Sequence, residues 1–307
     1  MKNACSRPAR CGKSLKAIEE PLKTAEMPEF KKMGYVEEWA GVRTRVYQYE
    51  IVEPRGCVVL VHGFGEYAGR YEPGVVPNLL QAGWAVLTFD LVGHGHSGGK
   101  RGHCQGYGQL IGQVSAAYEK AGQLYPGQPR VLYGHSLGGN LVLNAVLRGA
   151  VSPSGVVASS PYLRLAFQPP AWKLVVGKIL LRLAPSVTLP AGLDPSGISS
   201  QPEEVAAYKE DPLIHDRVSP NYSLPVIAAG EWVLEHASDW NIPLLIAHGG
   251  DDPIIDPEGS RILNRRVPGS KLLVLDGNRH ELHHDRGRAA FFKAVSDWLE
   301  ALAVPPQ

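Results

Sequence analysis

Short apolar runs recur along the chain and alternate with segments of helical periodicity. Residues 57–61 and 85–89 are continuous apolar stretches, which are typical of strands buried on both faces. Residues 42–49 instead alternate apolar and polar side chains, which predicts a half-exposed strand. Further strands are predicted at 130–133, 155–160, 243–247 and 271–275, and helices at 75–81, 108–124, 141–147, 171–184 and 287–302. Strands separated by helices predict parallel βαβ units in one twisted sheet.

A proline-rich segment at residues 162–223 interrupts this alternation of strands and helices and divides it into two parts. We therefore expect an α/β fold with a mostly parallel central sheet, flanking helices and a helical cap insertion. The predicted divisions are a flexible basic tail (1–25), a first part of the core (26–161), the cap (162–223) and a second part of the core (224–307). A length of 307 residues, 44% of them hydrophobic, is enough to bury one large core.

Charge and cysteine usage narrow the classes of function. The formal net charge is +1 with both signs spread along the chain, so nothing favours nucleic acid as a partner. No apolar stretch approaches the roughly 20 residues that span a bilayer, and the N-terminus lacks the apolar segment of a secretory signal. The four cysteines have no metal-binding spacing. We expect a reduced, cytoplasmic compartment.

The most specific motif is Gly134-His135-Ser136-Leu137-Gly138, which lies between a predicted strand and a predicted helix. The two glycines let the strand and the helix approach closely while the serine adopts a strained conformation that exposes its hydroxyl. The order of strand, tight turn and helix is that of a nucleophile elbow. We therefore predict that Ser136 is a nucleophile.

A serine nucleophile needs a base and an acid that orients the base, each in a loop after a later strand. Three carboxylates follow the strand at 243–247, and we favour Asp252 because it falls within the turn at the end of that strand. Asp251 is expected to face solvent, and Asp256 to cap the next helix.

The predicted base is His280, the first histidine after the last strand. His283 and His284 follow it, and we expect them to point away from the site, at the surface or as braces of the loop. The backbone N–H groups of Phe64, in a glycine-rich turn after a buried strand, and of Leu137 are the predicted donors of an oxyanion hole.

Two further features have structural interpretations. His62 is expected to brace the loop that carries Phe64. The segment Asp90-Leu91-Val92-Gly93-His94-Gly95-His96-Ser97 contains Asp, His and Ser side chains, but residues so close in sequence are held in one loop, so a structural turn beside the site is the better interpretation.

The helix predicted at 171–184 is too broadly apolar for an ordinary surface helix. Two interpretations stay open: it is the packed roof of the site, or it also presents an apolar face to lipid, with transient contact at a membrane surface. Both place an apolar lid over Ser136.

These stretches resemble the monoacylglycerol lipase and lysophospholipase-like branch of the serine α/β-hydrolases. The resemblance covers residues 35–300 and is carried by several motifs together. They are His62-Gly63-Phe64-Gly65-Glu66 with Arg70-Tyr71, Asp90-x-x-Gly93-His94-Gly95, Gly134-His135-Ser136-Leu137-Gly138, Tyr208-x-x-Asp211-Pro212-Leu213, Gly249-x-x-Asp252 and His280-x-Leu282.

The resemblance implies an α/β-hydrolase fold, a triad of Ser136, Asp252 and His280, and an oxyanion hole at Phe64 and Leu137. It implies hydrolysis of monoacylglycerols or similar single-chain esters through an acyl-enzyme, with no metal or organic cofactor. The alternatives within this chemistry are a lysophospholipase and a broad-specificity carboxylesterase. A binding module without catalysis is disfavoured because all three triad candidates are present.

Overall fold

The computed structural model describes residues 27–168 and 170–303, so the tail predicted at residues 1–25 lies outside the described residues. The strands are β1 (Phe30–Trp39), β2 (Val42–Ile51), β3 (Cys57–Val61), β4 (Ala85–Phe89), β5 (Arg130–His135), β6 (Gly155–Ser159), β7 (Leu189–Pro190), β8 (Arg217–Val218), β9 (Leu244–Gly249) and β10 (Lys271–Leu275). The helices are α1 (Val75–Gln81), α2 (Tyr107–Leu124), α3 (Leu137–Leu147), α4 (Ala171–Leu183), α5 (Pro202–Glu210), α6 (Pro220–Glu235), α7 (Pro257–Arg266) and α8 (Arg288–Ala303).

An eight-stranded sheet in the order β1-β2-β4-β3-β5-β6-β9-β10 forms the centre of the fold. Strands β3, β4, β5, β6, β9 and β10 are parallel, and β1 and β2 complete one side as antiparallel strands. In β9, Leu244 and Ile246 belong to one apolar core whereas Leu245 and Ala247 belong to the other. Both faces are therefore buried, which explains the continuous apolar runs of these strands.

The helices cover the two faces of the sheet unequally. Residues of α1 and α8 pack into one core, and residues of α2, α3, α6 and α7 pack into the other. Because the central strands are parallel, their carboxyl ends meet along one edge of the sheet, where ligand sites of open α/β sheets lie. The loops after β3, β5, β9 and β10 all open there.

The predicted parallel sheet and flanking helices are confirmed, and α4 matches the helix predicted at 171–184. Strand β1 was missed because its charged, largely exposed sequence forms the outer edge of the sheet. Helices α5 and α6 were missed as well. Helix α6 runs across residue 223, where the predicted cap ends, and packs on α3 through Asn140, whose Nδ2 donates to the carbonyl oxygen of Val226.

Candidate active site

Ser136 occupies the turn between β5 and α3 with φ 51° and ψ −114°. Such a conformation costs a non-glycine residue about 1–3 kcal/mol and persists only where the surroundings enforce it. Here the turn leaves no room for relaxation, since a Cβ on Gly138 would lie 2.0 Å from the carbonyl oxygen of Val61, and one on Gly134 would lie 2.3 Å from that of Gly138. The strand, the turn and the helix thus form the elbow that the sequence predicts.

Asp252 and His280 are brought together from the loops after β9 and β10. The Oδ2 atom of Asp252 lies 2.6 Å from Nδ1 of His280. Its Oδ1 atom accepts the backbone N–H groups of Ile254 and Ile255 at 2.8 and 3.0 Å. Both side chains are almost completely buried, so the pair is fixed in orientation and shielded from water.

Burial and pairing act in opposite directions on this pair. Burial alone favours the neutral carboxyl group of Asp252, but the charge of His280 and the hydrogen bonds from His248 and His280 outweigh it and hold the pKa of Asp252 well below its ordinary value. Burial likewise disfavours the imidazolium of His280, but the Asp252 carboxylate outweighs it and raises the pKa of His280. Asp252 is therefore ionised and stabilises positive charge on His280.

His248, which was not predicted as a site residue, also contacts the carboxylate. Its Nε2 atom lies 3.1 Å from Oδ2 of Asp252, and its Nδ1 atom lies 2.7 Å from the Ser260 hydroxyl. With Nε2 protonated, His248 donates to Asp252 and helps to fix it. The available signal was a histidine at the end of a buried strand, four residues before Asp252.

The other two carboxylates of the loop have the environments expected for them. Asp256 caps α7, since its Oδ1 atom accepts the backbone N–H of Glu258 at 2.9 Å, and this prediction is confirmed. Asp251 is exposed to solvent. The bond to His280 is made by Asp252.

His283 and His284 are buried, so of their two expected placements the surface position is wrong, whereas the bracing of the loop is confirmed. A 3₁₀ turn (Leu282–His284) directs both rings inward before α8 begins. The ring of His283 stacks on Tyr71 with centroids 5.0 Å apart and meets His135 edge-on at 5.0 Å. Both rings thus pack beneath the loop that carries His280, on its interior side, and brace it.

The loop after β3 carries Phe64 and is held by side chains on both sides. Glu66 accepts the backbone N–H of Gly63 through Oε1 at 2.6 Å. His62 accepts the backbone N–H of Leu91 through Nε2 at 2.9 Å, and its Nδ1 lies 2.7 Å from the carbonyl oxygen of Gly63. The expected bracing role of His62 is confirmed.

The segment 90–97 is a structural turn, as expected. The two carboxylate oxygens of Asp90 accept the backbone N–H groups of Ala68 and His96 at 2.9 and 2.8 Å. The Ser97 hydroxyl donates to the carbonyl oxygen of Asp90 and accepts the N–H of Arg45. The polar atoms of Asp90 and Ser97 are therefore committed to holding the turn.

A buried ionic cluster beside the site was not predicted from the sequence. The guanidinium of Arg70 lies between Glu66 and Glu281, 3.2 and 2.5 Å from their carboxylate oxygens. Burial and the neighbouring Glu281 raise the pKa of Glu66, whereas Arg70 and His284 overcome burial and hold the pKa of Glu281 well below its ordinary value. The cluster links the Phe64 loop to the His280 loop.

Within the described residues, one group of ligand-type side chains is close enough to hold a metal ion, namely Glu281, His283 and His284. The Oε2 atom of Glu281 is already bound by Arg70 and by Nδ1 of His284, at 2.5 and 2.8 Å. A cation at this point would meet a buried guanidinium, which is costly in a medium of low dielectric. The arrangement suits an ion-pair network better than a metal centre.

Ser136, His280, Phe64 and Leu137 line one cavity of about 680 Å³. Its wall is mostly apolar and comes largely from residues 162–223 and from α6. The apolar lining includes Leu165, Phe167, Leu180, Leu193, Ile198, Ile214, Val226, Ile227 and Ile254. The cavity offers apolar surface next to the serine, where a long apolar group could bind.

Helix α4 faces the cavity with one side and solvent with the other. Gly177 and Leu180 line the cavity, whereas Val175, Ile179 and Leu183 are 56, 51 and 79% exposed. The two interpretations of this helix are thus compatible, since it roofs the cavity and also presents an apolar stripe outward.

The chain is similar in sequence and in structure to known hydrolases. The model of the Hydrolase_4 family, described as serine aminopeptidase, S33, matches residues 52–287. A monoacylglycerol lipase of Mycolicibacterium smegmatis is 34% identical over 80% of this chain and 89% of its own, and the monoglyceride lipase of Homo sapiens is 30% identical over 80 and 82%. The crystal structure of Paleococcus ferrophilus monoacylglycerol lipase is 33% identical, with a TM-score of 0.76 over 89% of this chain and 99% of its own.

Proposed function

The chain belongs to the Hydrolase_4 family (serine aminopeptidase, S33), and from this premise we propose that it hydrolyses monoacylglycerols to fatty acid and glycerol. The observation that carries the proposal is the strained Ser136 at the wall of an apolar cavity that is also lined by His280, the partner of Asp252. The likeness to proteins named monoacylglycerol lipase supports the substrate class.

In the proposed mechanism His280 is the general base. Its Nδ1 atom faces Asp252, which leaves Nε2 to accept the proton of the Ser136 hydroxyl. Ser136 Oγ attacks the ester carbonyl, and His280 passes the proton to the departing glycerol oxygen as the carbonyl–oxygen bond breaks. His280 then takes a proton from water while the hydroxyl adds to the carbonyl carbon of the acyl-enzyme. As the bond between that carbon and Ser136 Oγ breaks, His280 returns the proton to Oγ and the fatty acid is released. Asp252 stabilises the imidazolium in both halves of the cycle.

The backbone N–H groups of Phe64 and Leu137 are the proposed donors to the oxyanion. Leu137 is the first residue of α3, so its N–H lies among the unsatisfied donors at the positive end of the helix dipole. Loss of one such donor costs about 2.7–4 kcal/mol of transition-state stabilisation in comparable sites.

An aminopeptidase activity, which the description of the family suggests, fits this cavity less well. Recognition of a free amino terminus requires an unpaired carboxylate near the scissile bond. The two buried carboxylates that line the cavity, Glu66 and Glu281, are both bound to Arg70. Of the other carboxylates in the lining, Asp211 accepts two hydrogen bonds, and Asp216 is exposed to solvent, where its attraction for an ammonium group is screened. An apolar acyl chain matches the remaining wall better than a charged ammonium group does.

Residues 162–223 are the proposed cap, and its helix α4 is the proposed contact with a lipid surface. The exposed apolar stripe of α4 carries Lys178 and Arg182 at its margin, which suits an anionic interface. No described helix combines the length and apolar character needed to cross a bilayer. The proposal is therefore transient, peripheral contact through the cap.

Turnover of three substrate series tests the activity. We expect hydrolysis of 1-monooleoylglycerol to exceed that of lysophosphatidylcholine, and p-nitrophenyl esters of long acids to exceed those of acetate. A preference for lysophosphatidylcholine would assign a lysophospholipase instead. A preference for acetyl esters would assign a general carboxylesterase and contradict the lipid proposal.

Substitutions on α4 test the membrane contact separately. Ile179→Glu and Leu183→Glu place charge on the exposed stripe, and we expect each to reduce binding to anionic vesicles in a flotation assay. Hydrolysis of soluble p-nitrophenyl butyrate should be unchanged, because neither side chain lines the cavity. Vesicle binding equal to that of the wild type would contradict the contact.

A further inference from the structure

Residues 211–219, the segment between α5 and α6 that we call the strap, lie directly on the loop that carries Phe64. The backbone N–H of His215 donates to the carbonyl oxygen of Gly65 at 2.9 Å. Gly65 has φ +78°, and a Cβ there would lie 2.4 Å from the carbonyl oxygen of His215. The strap and the loop are therefore in backbone contact, with no side chain between them.

The side chain of His215 ties the strap to the next loop of the core. Its Nε2 atom lies 3.1 Å from the carbonyl oxygen of Gly93, and its Nδ1 atom accepts the backbone N–H of Arg217 at 3.2 Å. This pattern corresponds to a neutral imidazole with its proton on Nε2, donating to Gly93. The ring is thus fixed between the strap and the core.

The fixed ring of His215 packs on Phe64. The two ring centroids are 5.8 Å apart, at 84°, and the Phe64 ring also meets His94 at 5.7 Å and Tyr222 at 5.5 Å, both edge-on. His94 in turn lies 4.8 Å from His215. Edge-to-face pairs of this kind prefer one geometry. Three rings therefore hold Phe64, and two of them, His215 and Tyr222, come from the region between β6 and β9.

We propose that His215 is a positioning residue, which keeps the backbone N–H of Phe64 aimed at the oxyanion by fixing the Phe64 ring from the strap. The inference rests on the proposed function, since it needs Phe64 to be an oxyanion donor. Hydrogen bonds weaken steeply with angle and distance, so a small rotation of the Phe64 backbone is enough to impair the hole. The oxyanion hole is then complete only while the strap contacts the loop that carries Phe64.

His215→Ala removes both the ring and the bond to Gly93, and we expect kcat to fall about tenfold with little change in KM. His215→Phe keeps an aromatic ring against Phe64 and should recover kcat to within about threefold of the wild type. His103→Ala is the matched control, because Nδ1 of His103 lies 3.0 Å from the Ser219 hydroxyl at the far end of the strap but does not contact Phe64. We expect this variant to retain the wild-type kcat.

A pair of inhibitors separates positioning from a merely structural role. A long-chain trifluoromethyl ketone forms a hemiketal whose oxyanion occupies the hole, whereas the corresponding ether analogue of the substrate does not. We expect His215→Ala to weaken the ketone about tenfold, in parallel with kcat, and to leave the affinity of the ether unchanged.

Equal weakening of both inhibitors would overturn the proposal, because His215 also lines the cavity and would then act as a substrate contact. An unchanged ketone affinity in His215→Ala would overturn it as well. The assays use a p-nitrophenyl ester, so failure to hydrolyse monoacylglycerol would reject the proposed substrate without affecting this test.

Discussion

The protein contains two sets of Asp, His and Ser side chains near the same edge of the sheet, and they differ in what the aspartate binds. In the turn at residues 90–97, both carboxylate oxygens of Asp90 accept backbone N–H groups. In the site, the Oδ2 atom of Asp252 binds the imidazole of His280. The residue types are shared, so the difference lies in their placement.

The pKa values reflect this placement. Burial raises the pKa of Asp90, and the two backbone hydrogen bonds only partly offset it. Asp252 is also buried, yet its pKa is lowered because His280 and His248 stabilise the carboxylate. A buried aspartate thus becomes a partner for a base only where a titratable ring faces it.

Replacement of the two serines gives the largest predicted contrast. Ser136→Ala removes the nucleophile, and we expect kcat for 1-monooleoylglycerol to fall on the order of 10⁶-fold. Ser97→Ala removes two hydrogen bonds of the turn and should lower the free energy of unfolding by about 1–2 kcal/mol while activity is retained. Activity that survives in Ser136→Ala would contradict the comparison.

Replacement of the acid should have the next largest effect. Asp252→Asn allows the wrong tautomer of His280 and removes the charge that stabilises its imidazolium, so we expect kcat to fall on the order of 10⁴-fold. Asp256→Ala, the control in the same loop, removes a helix cap and should cost about 1 kcal/mol of stability without loss of kcat. Steady-state kinetics and thermal unfolding measure the two effects. A larger loss of kcat in Asp256→Ala would reassign the acid.

The pH profile should show the raised pKa of His280. The base acts only when it is neutral, so kcat/KM should fall about tenfold per pH unit once the pH drops below the pKa of His280. Because Asp252 raises that pKa, the midpoint of this acid limb should lie above the ordinary histidine value of about 6.5. The limb should move to lower pH in the residual activity of Asp252→Asn. An unmoved limb would mean that another group controls it.

Replacement of Asp90 should affect stability and have little effect on activity. Asp90→Asn places an amide N–H₂ against a backbone N–H and leaves that donor unsatisfied, which should cost about 1–3 kcal/mol of unfolding free energy. Denaturant unfolding checks this value. The kcat per folded molecule should change by less than about threefold, since Asp90 does not line the cavity. A loss of kcat in Asp90→Asn as large as that in Asp252→Asn would contradict the assignment of a structural role to the turn at residues 90–97.

The parts of the fold and site that could be predicted are those with short-range signals. Continuous apolar runs such as Ala85–Phe89 identify central strands because both of their faces are buried. The strand, glycine turn and helix around Ser136 are adjacent in sequence, so the elbow can be recognised locally. The acid and the base each follow a predicted strand, which limits the candidates for each role to the residues of one loop.

The parts that could not be predicted depend on distant partners. Arg70 and Glu281 are 211 residues apart in the chain, and His284 binds the same carboxylate, so this cluster depends on a contact that the local sequence does not reveal. Strand β1 has one face that is only half-buried, and the charged Glu37 lies on that face, so the alternation of apolar and polar residues is obscured. Nothing in the sequence around His215 indicates a role, because its contact with Phe64 exists only in the folded protein.

Covalent labelling tests the central claim that Ser136, and not Ser97, is the activated serine. The full chain is treated with an alkyl fluorophosphonate, which phosphonylates an activated hydroxyl with loss of fluoride, and the adduct is located by peptide mass spectrometry. We expect one adduct, on the peptide that contains Ser136, and we expect it to form much more slowly in Asp252→Asn. An adduct on Ser97, or one that persists in Ser136→Ala, would contradict the claim.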